Sequence, residues 1–156
     1  MFGLFGKKTD ADLAHHSRDV QQWRREHDAL KKQAGKIAEA VGKGKTEKAR
    51  NELKKLETLA LQHLMSEDIR FYEMKKAVEA VTETTPEDRV ILEAMKEFEE
   101  SFRDTKQVLI RFFSHYKKPE TPLDEQFEKD FGAIVNALVA RIDFEESTLY
   151  EMMDQV

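Results

Sequence analysis

A histidine and a glutamate stand four residues apart, at positions the surrounding pattern reserves for apolar side chains. They are His63 and Glu67 in Leu59–Met74, LALQHLMSEDIRFYEM. The stripe through them reads Ala49, Leu53, Leu56, Ala60, His63, Glu67, Phe71, Met74, Val78, Val81. Steps of three or four are those of a helix that buries one face, so His63 and Glu67 point inward. A buried carboxylate is costly unless it is paired, hydrogen-bonded or bound to a metal.

The segment has an echo near the C-terminus. HLMSEDIRFYEM at His63–Met74 aligns with RIDFEESTLYEM at Arg141–Met152. Glu67 falls on Glu145, Asp68 on Glu146, Phe71 on Leu149, Tyr72 on Tyr150, and His63 on Arg141. The second stripe reads Phe127, Phe131, Ile134, Leu138, Arg141, Glu145, Leu149, Met152. It too places a charged pair, Arg141 and Glu145, one turn apart on an apolar face. Two such pairs in register point to a polar site built into a helical core.

Four helices are needed to position these groups. Helix one is expected from about Asp10 to Val41, with the stripe Val20, Trp23, His27, Leu30, Ala34, Ile37, Val41, so His27 also faces inward. Gly42-Lys43-Gly44 ends it, and Thr46 is the expected cap of helix two, about Glu47 to Val81. Thr84-Thr85-Pro86 opens helix three, which runs to about Lys117 along Ile91, Met95, Phe98, Phe102, Thr105, Leu109 and Phe112. Thr121-Pro122, with Asp124 completing a capping pattern, opens helix four, expected to reach about Asp154. Short loops between helices of similar length give an all-α, up-down-up-down antiparallel four-helix bundle. Residues 1–8 are expected to be a flexible leader, and 9–156 a single bundle domain.

Counting from the loops sets relative heights, to within about one turn of ~5 Å. His27, His63, Glu67, Arg141 and Glu145 should share one layer near mid-bundle. Helix three brings Phe98, Phe102 and Thr105 to that level, none of them a good ligand. His15, His16 and His115 lie far along the axis and are expected on the surface. Tyr72 and Tyr150 are expected to be packing residues, and Lys43–Arg50 a solvated face.

Composition bounds the rest. With 156 residues the chain has room for one substantial core, and 37% charged residues with only three prolines and six glycines suit helices. A net charge of −5 of mixed sign, without a basic aromatic module, argues against nucleic-acid binding. The absence of cysteine excludes disulfides and thiolate chemistry. No apolar run suggests a membrane span, and the start MFGLFGKK lacks the order of a signal peptide, so the expected location is the cytoplasm.

Taken together, His27-Asp28, then His63 and Glu67 as HxxxE, then a closing EExxLY at 145–150 resemble the hemerythrin-like, HHE cation-binding family. The likeness spans about residues 15–153. It implies a four-helix bundle around a non-haem di-iron centre that binds or senses oxygen or nitric oxide, without enzymatic turnover. It also implies that one metal is held by His27 and His63, with Glu67 and Glu145 as the carboxylates. The family's second iron takes histidines from helices three and four. Here helix three offers Phe98, Phe102 or Glu99, and Arg141 stands at the helix-four position. Arginine stays protonated and cannot ligate.

Two readings of this site remain open. In one, a single Fe, Zn or Mn ion sits on His27, His63, Glu67 and Glu145, with Arg141 holding a carboxylate. In the other no metal is bound. Arg141 then replaces the second metal in a buried hydrogen-bonded network, and the bundle is a regulatory or protein-interaction module, with a protein partner or a second copy as its ligand. Neither reading makes the protein an enzyme. The ferritin-like di-iron enzymes need Glu-x-x-His motifs, and none is present.

Overall fold

The computed structural model describes residues 10–80 and 85–151, with the side chains of 10–17 and 88 excepted. The leader, Val81, Thr84, Met152, the end of helix four and the side chains of His15 and His16 lie outside the described residues. Four helices follow in order: α1 (Asp10–Gly42), α2 (Thr46–Glu79), α3 (Pro86–Tyr116) and α4 (Glu125–Phe144). α4 continues directly into a π turn at Glu145–Leu149. None of the helices in the described residues is long and apolar enough to cross a membrane.

The α1–α2 corner is built by Gly44, which adopts the left-handed conformation at φ 70°. Its N–H bonds to the Val41 carbonyl and that of Lys45 to the Ala40 carbonyl, the pairing that closes a helix on glycine. α2 starts one residue earlier than expected, so Thr46 lies inside it; its N-cap is Lys45, which gives no side-chain cap. At α4, Asp124 is itself the N-cap, its carboxylate accepting from the N–H groups of Gln126 and Phe127.

The apolar stripes assemble into two buried clusters. One gathers Leu30, Ile37, Leu53, Leu56, Leu109 and Phe113 with the α4 residues Phe127 to Leu138. The other joins Trp23, Phe71, Val78, Met95 and Phe102 to Leu149 and Tyr150. His27, His63, Glu67, Arg141 and Glu145 are all buried. His27, Glu67, Arg141 and Glu145 lie between the clusters in chain order, and His63 sits at the end of the first cluster beside Leu64, so apolar packing flanks the layer on both sides.

The charge run at 43–50 is exposed only up to Lys48, and Arg50 is buried. Period-based reading missed it because Arg50 packs against a loop and not against a helix. Its Nη1 donates to the carbonyls of Tyr116 at 2.6 Å and Lys118 at 2.7 Å, and its Nη2 to that of Thr121 at 2.8 Å. One guanidinium thus satisfies the carbonyls of the α3–α4 connection and holds α2 against it. Arg50→Met should cost about 2–4 kcal/mol in urea unfolding, since each hydrogen bond to a charged group contributes roughly 1.5–3 kcal/mol and part of this is recovered from water. An unchanged midpoint would mean the loop is held by other contacts.

Candidate metal centre

The inward groups converge. One ligand atom from each of His27, His63, Glu67 and Glu145 lies within 4.8 Å of all the others, and all four residues are buried. His27 Nε2 is 3.1 Å from His63 Nε2 and 2.8 Å from Glu145 Oε1. His63 Nε2 is 3.3 Å from Glu145 Oε1 and 3.2 Å from Glu67 Oε1. α1, α2 and the π turn each contribute to this one spot, as the counting of heights requires.

The outer ring nitrogens decide what the inner ones carry. His27 Nδ1 faces Glu146 Oε1 at 3.0 Å, and His63 Nδ1 faces Glu26 Oε1 at 2.8 Å. A carboxylate accepts, so each Nδ1 must be the donor, which leaves the Nε2 lone pairs turned inward. This is the arrangement in which a carboxylate orients a metal-binding histidine. Two Nε2 atoms and Glu145 Oε1 then meet as three acceptors within 3.3 Å of one another. A positive charge must sit among them, either a proton or a metal ion. Ligand atoms ~2.0–2.1 Å from a tetrahedral metal lie about 3.3 Å apart, close to the separations found here, so the residues fit one such ion.

They do not fit two. Among the described residues no second group of histidines and carboxylates could hold a metal. Glu99 on α3 is engaged elsewhere, with Lys75 at 2.5 Å. His115 is exposed, as expected. Arg141 Nε donates to Glu145 Oε2 at 2.6 Å and Nη2 approaches Glu67 Oε1 at 3.4 Å, while the guanidinium carbon lies 3.8 Å over the Phe102 ring.

Electrostatics follow from this packing. Burial works against charge on His63, but hydrogen bonds to Glu145 and Glu67 overturn it and raise the ring to about 10. Burial pushes Glu67 up to about 7, against the hydrogen bond to His63 and reinforced by the nearby Glu145 charge. Glu145 is held well below the ordinary carboxylate range: burial opposes its charge, and the hydrogen bonding it shares with His27 and His63, with the Arg141 cation, outweighs it.

Tyr150 corrects a sequence expectation. It packs, stacking on Trp23 with centroids 5.6 Å apart, but its hydroxyl also lies inside the site. It donates to Glu67 Oε2 at 2.9 Å and sits 3.2 Å from His27 Nε2. The π turn is the cause. Tyr150 N–H bonds to the carbonyl of Glu145, five residues back, and that wider turn swings residue 150 onto the face of Glu145. α2 has no such turn, and Tyr72, the same distance past Glu67, is 57% exposed. Glu26 and Glu146 were missed as well. Their adjacency to His27 and Glu145 was visible, but they lie off the stripe. Tyr150→Phe should cost about 1–3 kcal/mol, because it leaves a buried Glu67 oxygen without its donor. Urea unfolding followed by the fluorescence of Trp23, the single tryptophan, reads this directly.

The chain belongs to the hemerythrin HHE cation-binding domain family, whose family model matches residues 18–153. No curated protein and no solved structure matches it.

Proposed function

We propose that the protein binds a single divalent first-row metal through His27, His63, Glu67 and Glu145, and that it stores or senses through that ion without enzymatic turnover. The observation that carries this is the meeting of two imidazole Nε2 atoms and a Glu145 oxygen within 3.3 Å, each ring turned by a carboxylate behind it. Mixed nitrogen and oxygen donors suit Fe, Zn or Mn. When bound, such an ion supplies a Lewis-acidic, and for iron or manganese redox-active, centre. Arg141 fixes the Glu145 carboxylate, Tyr150 fixes that of Glu67, and the two apolar clusters keep water out. We further place the protein in the cytoplasm.

Metal analysis tests the reading. Protein purified from iron-supplemented cells should carry close to one equivalent of metal, and His63→Ala should lose it. Absence of metal from the wild type under those conditions would sink the proposal. A metal-free regulatory or protein-binding bundle is the second reading, and the ion pairs of Arg141 with Glu145 and Glu67 favour it. In that case a proton on His63 supplies the required charge.

A further inference from the structure

Among the described residues, Arg141 Nη1 is the one buried side-chain nitrogen or oxygen with no hydrogen-bond partner. The Arg141 side chain is 5% exposed, so water does not satisfy it from outside. An orphan donor on a buried cation is costly and calls for an acceptor. The charges of the layer point the same way. Glu67 and Glu145 bring two negative charges and Arg141 one positive. A divalent cation among them leaves one positive charge over, buried between two apolar clusters. Glu26 and Glu146 face the histidines from the rim, 27% and 38% exposed, where water screens them.

A surface pocket lies on the α2–α3 side. Phe102, whose ring carries the Arg141 guanidinium at 3.8 Å, also lines that pocket, of about 270 Å³. Lys75, Arg103 and Lys106 stand around this pocket with Asp68 and Glu99. Lys106 pairs with Asp68, and Lys75 with Glu99 and, at 3.9 Å, with Glu79 outside the lining, so among the lining charges that of Arg103 is left over. The lining charges sum to one positive, and Phe102 is common to the pocket wall and to the contact with the Arg141 guanidinium.

We propose that Arg141 is the receptor of a small monovalent oxyanion, which enters past Phe102 and is held tighter when the metal site is filled. The last clause rests on the metal reading; the anion site on Arg141 does not. A guanidinium suits an oxyanion because its planar donors match the acceptor geometry.

Formate is the probe, enriched in ¹³C and titrated at constant ionic strength into zinc-loaded and metal-free protein. Line broadening of its resonance is followed, and zinc is quantified in the same samples. The expected result is saturable broadening in the wild type, with at least tenfold weaker binding in Arg141→Met that still carries zinc. Phe102→Leu should speed formate exchange while leaving the affinity within about twofold. If the wild type takes no zinc, the metal reading fails, and Arg141-dependent broadening of the metal-free protein upholds the anion site alone. Equal affinity in the wild type and Arg141→Met, or no broadening of the wild type in either state, overturns the proposal. Arg141→Lys, which keeps the charge without the planar fork, covers a Met variant that fails to fold; its expected affinity lies between the two.

Discussion

Replacing Glu145 by alanine should destabilise the metal-free protein by about 3–5 kcal/mol, the cost of breaking a buried ion pair by removing one partner. Glu145 is the hub of the layer. It is fully buried and accepts from Arg141 at 2.6 Å, with His27 at 2.8 Å and His63 at 3.3 Å. Without it, the 3.4 Å contact to Glu67 is the one ion pair left to Arg141 among the described residues, and the proton that His63 holds loses one of its two buried carboxylates. The buried cations would then exceed the buried anions, with apolar clusters on either side. For a chain of this size each kcal/mol moves the melting temperature by roughly 2–4 °C, so the loss should be on the order of 10 °C. Glu145→Gln keeps the volume and one acceptor, and should retain a minority of the stability. A loss under about 1 kcal/mol for Glu145→Ala would show that water reaches the layer and solvates Arg141 in its place.

The hub was legible in the sequence because helix geometry is regular. A rise of ~1.5 Å per residue turns loop positions into heights, and a 3.6-residue period turns spacing into faces. His27, His63, Glu67, Arg141 and Glu145 could be found by those rules alone. What broke the rules was not legible. The π turn adds one residue to a turn, so the face read as Arg141, Glu145, Leu149 also takes in Tyr150. The internal echo made this harder to see, since it paired buried Tyr150 with exposed Tyr72. Glu26 and Glu146 lie at the rim, where a stripe carries no information about which neighbouring helix a long side chain reaches. Arg50 answers to loop carbonyls, whose positions no periodicity describes.

Removing the metal should cost the native state several kcal/mol, and the cost should grow with pH. A ligand that binds only the folded chain stabilises it by mass action, about 4 kcal/mol when its free concentration is a thousand times Kd. Binding here requires His63 to give up its Nε2 proton and Glu67 to be ionised. With His63 raised to about 10 and Glu67 to about 7, uptake at neutral pH must expel protons, and affinity should rise as pH climbs from about 7 toward 10. The metal-free protein moves the other way. A raised His63 stabilises the fold fully below its unfolded value of ~6.5, and that contribution fades as pH rises through about 10. The raised Glu67 contributes below ~4.5 and loses its share as pH rises through about 7. Lowered Glu145 acts oppositely, contributing above ~4.5 and losing its share on acidification. The melting temperatures of chelator-treated and zinc-loaded protein should therefore diverge between pH 6 and 9, and calorimetric titration of zinc in buffers of different ionisation enthalpy should show at least about one proton released. Parallel melting curves with no proton release would mean that the charge among the three acceptors is a proton in both samples, and that Arg141 with His63 has taken over the work of the metal.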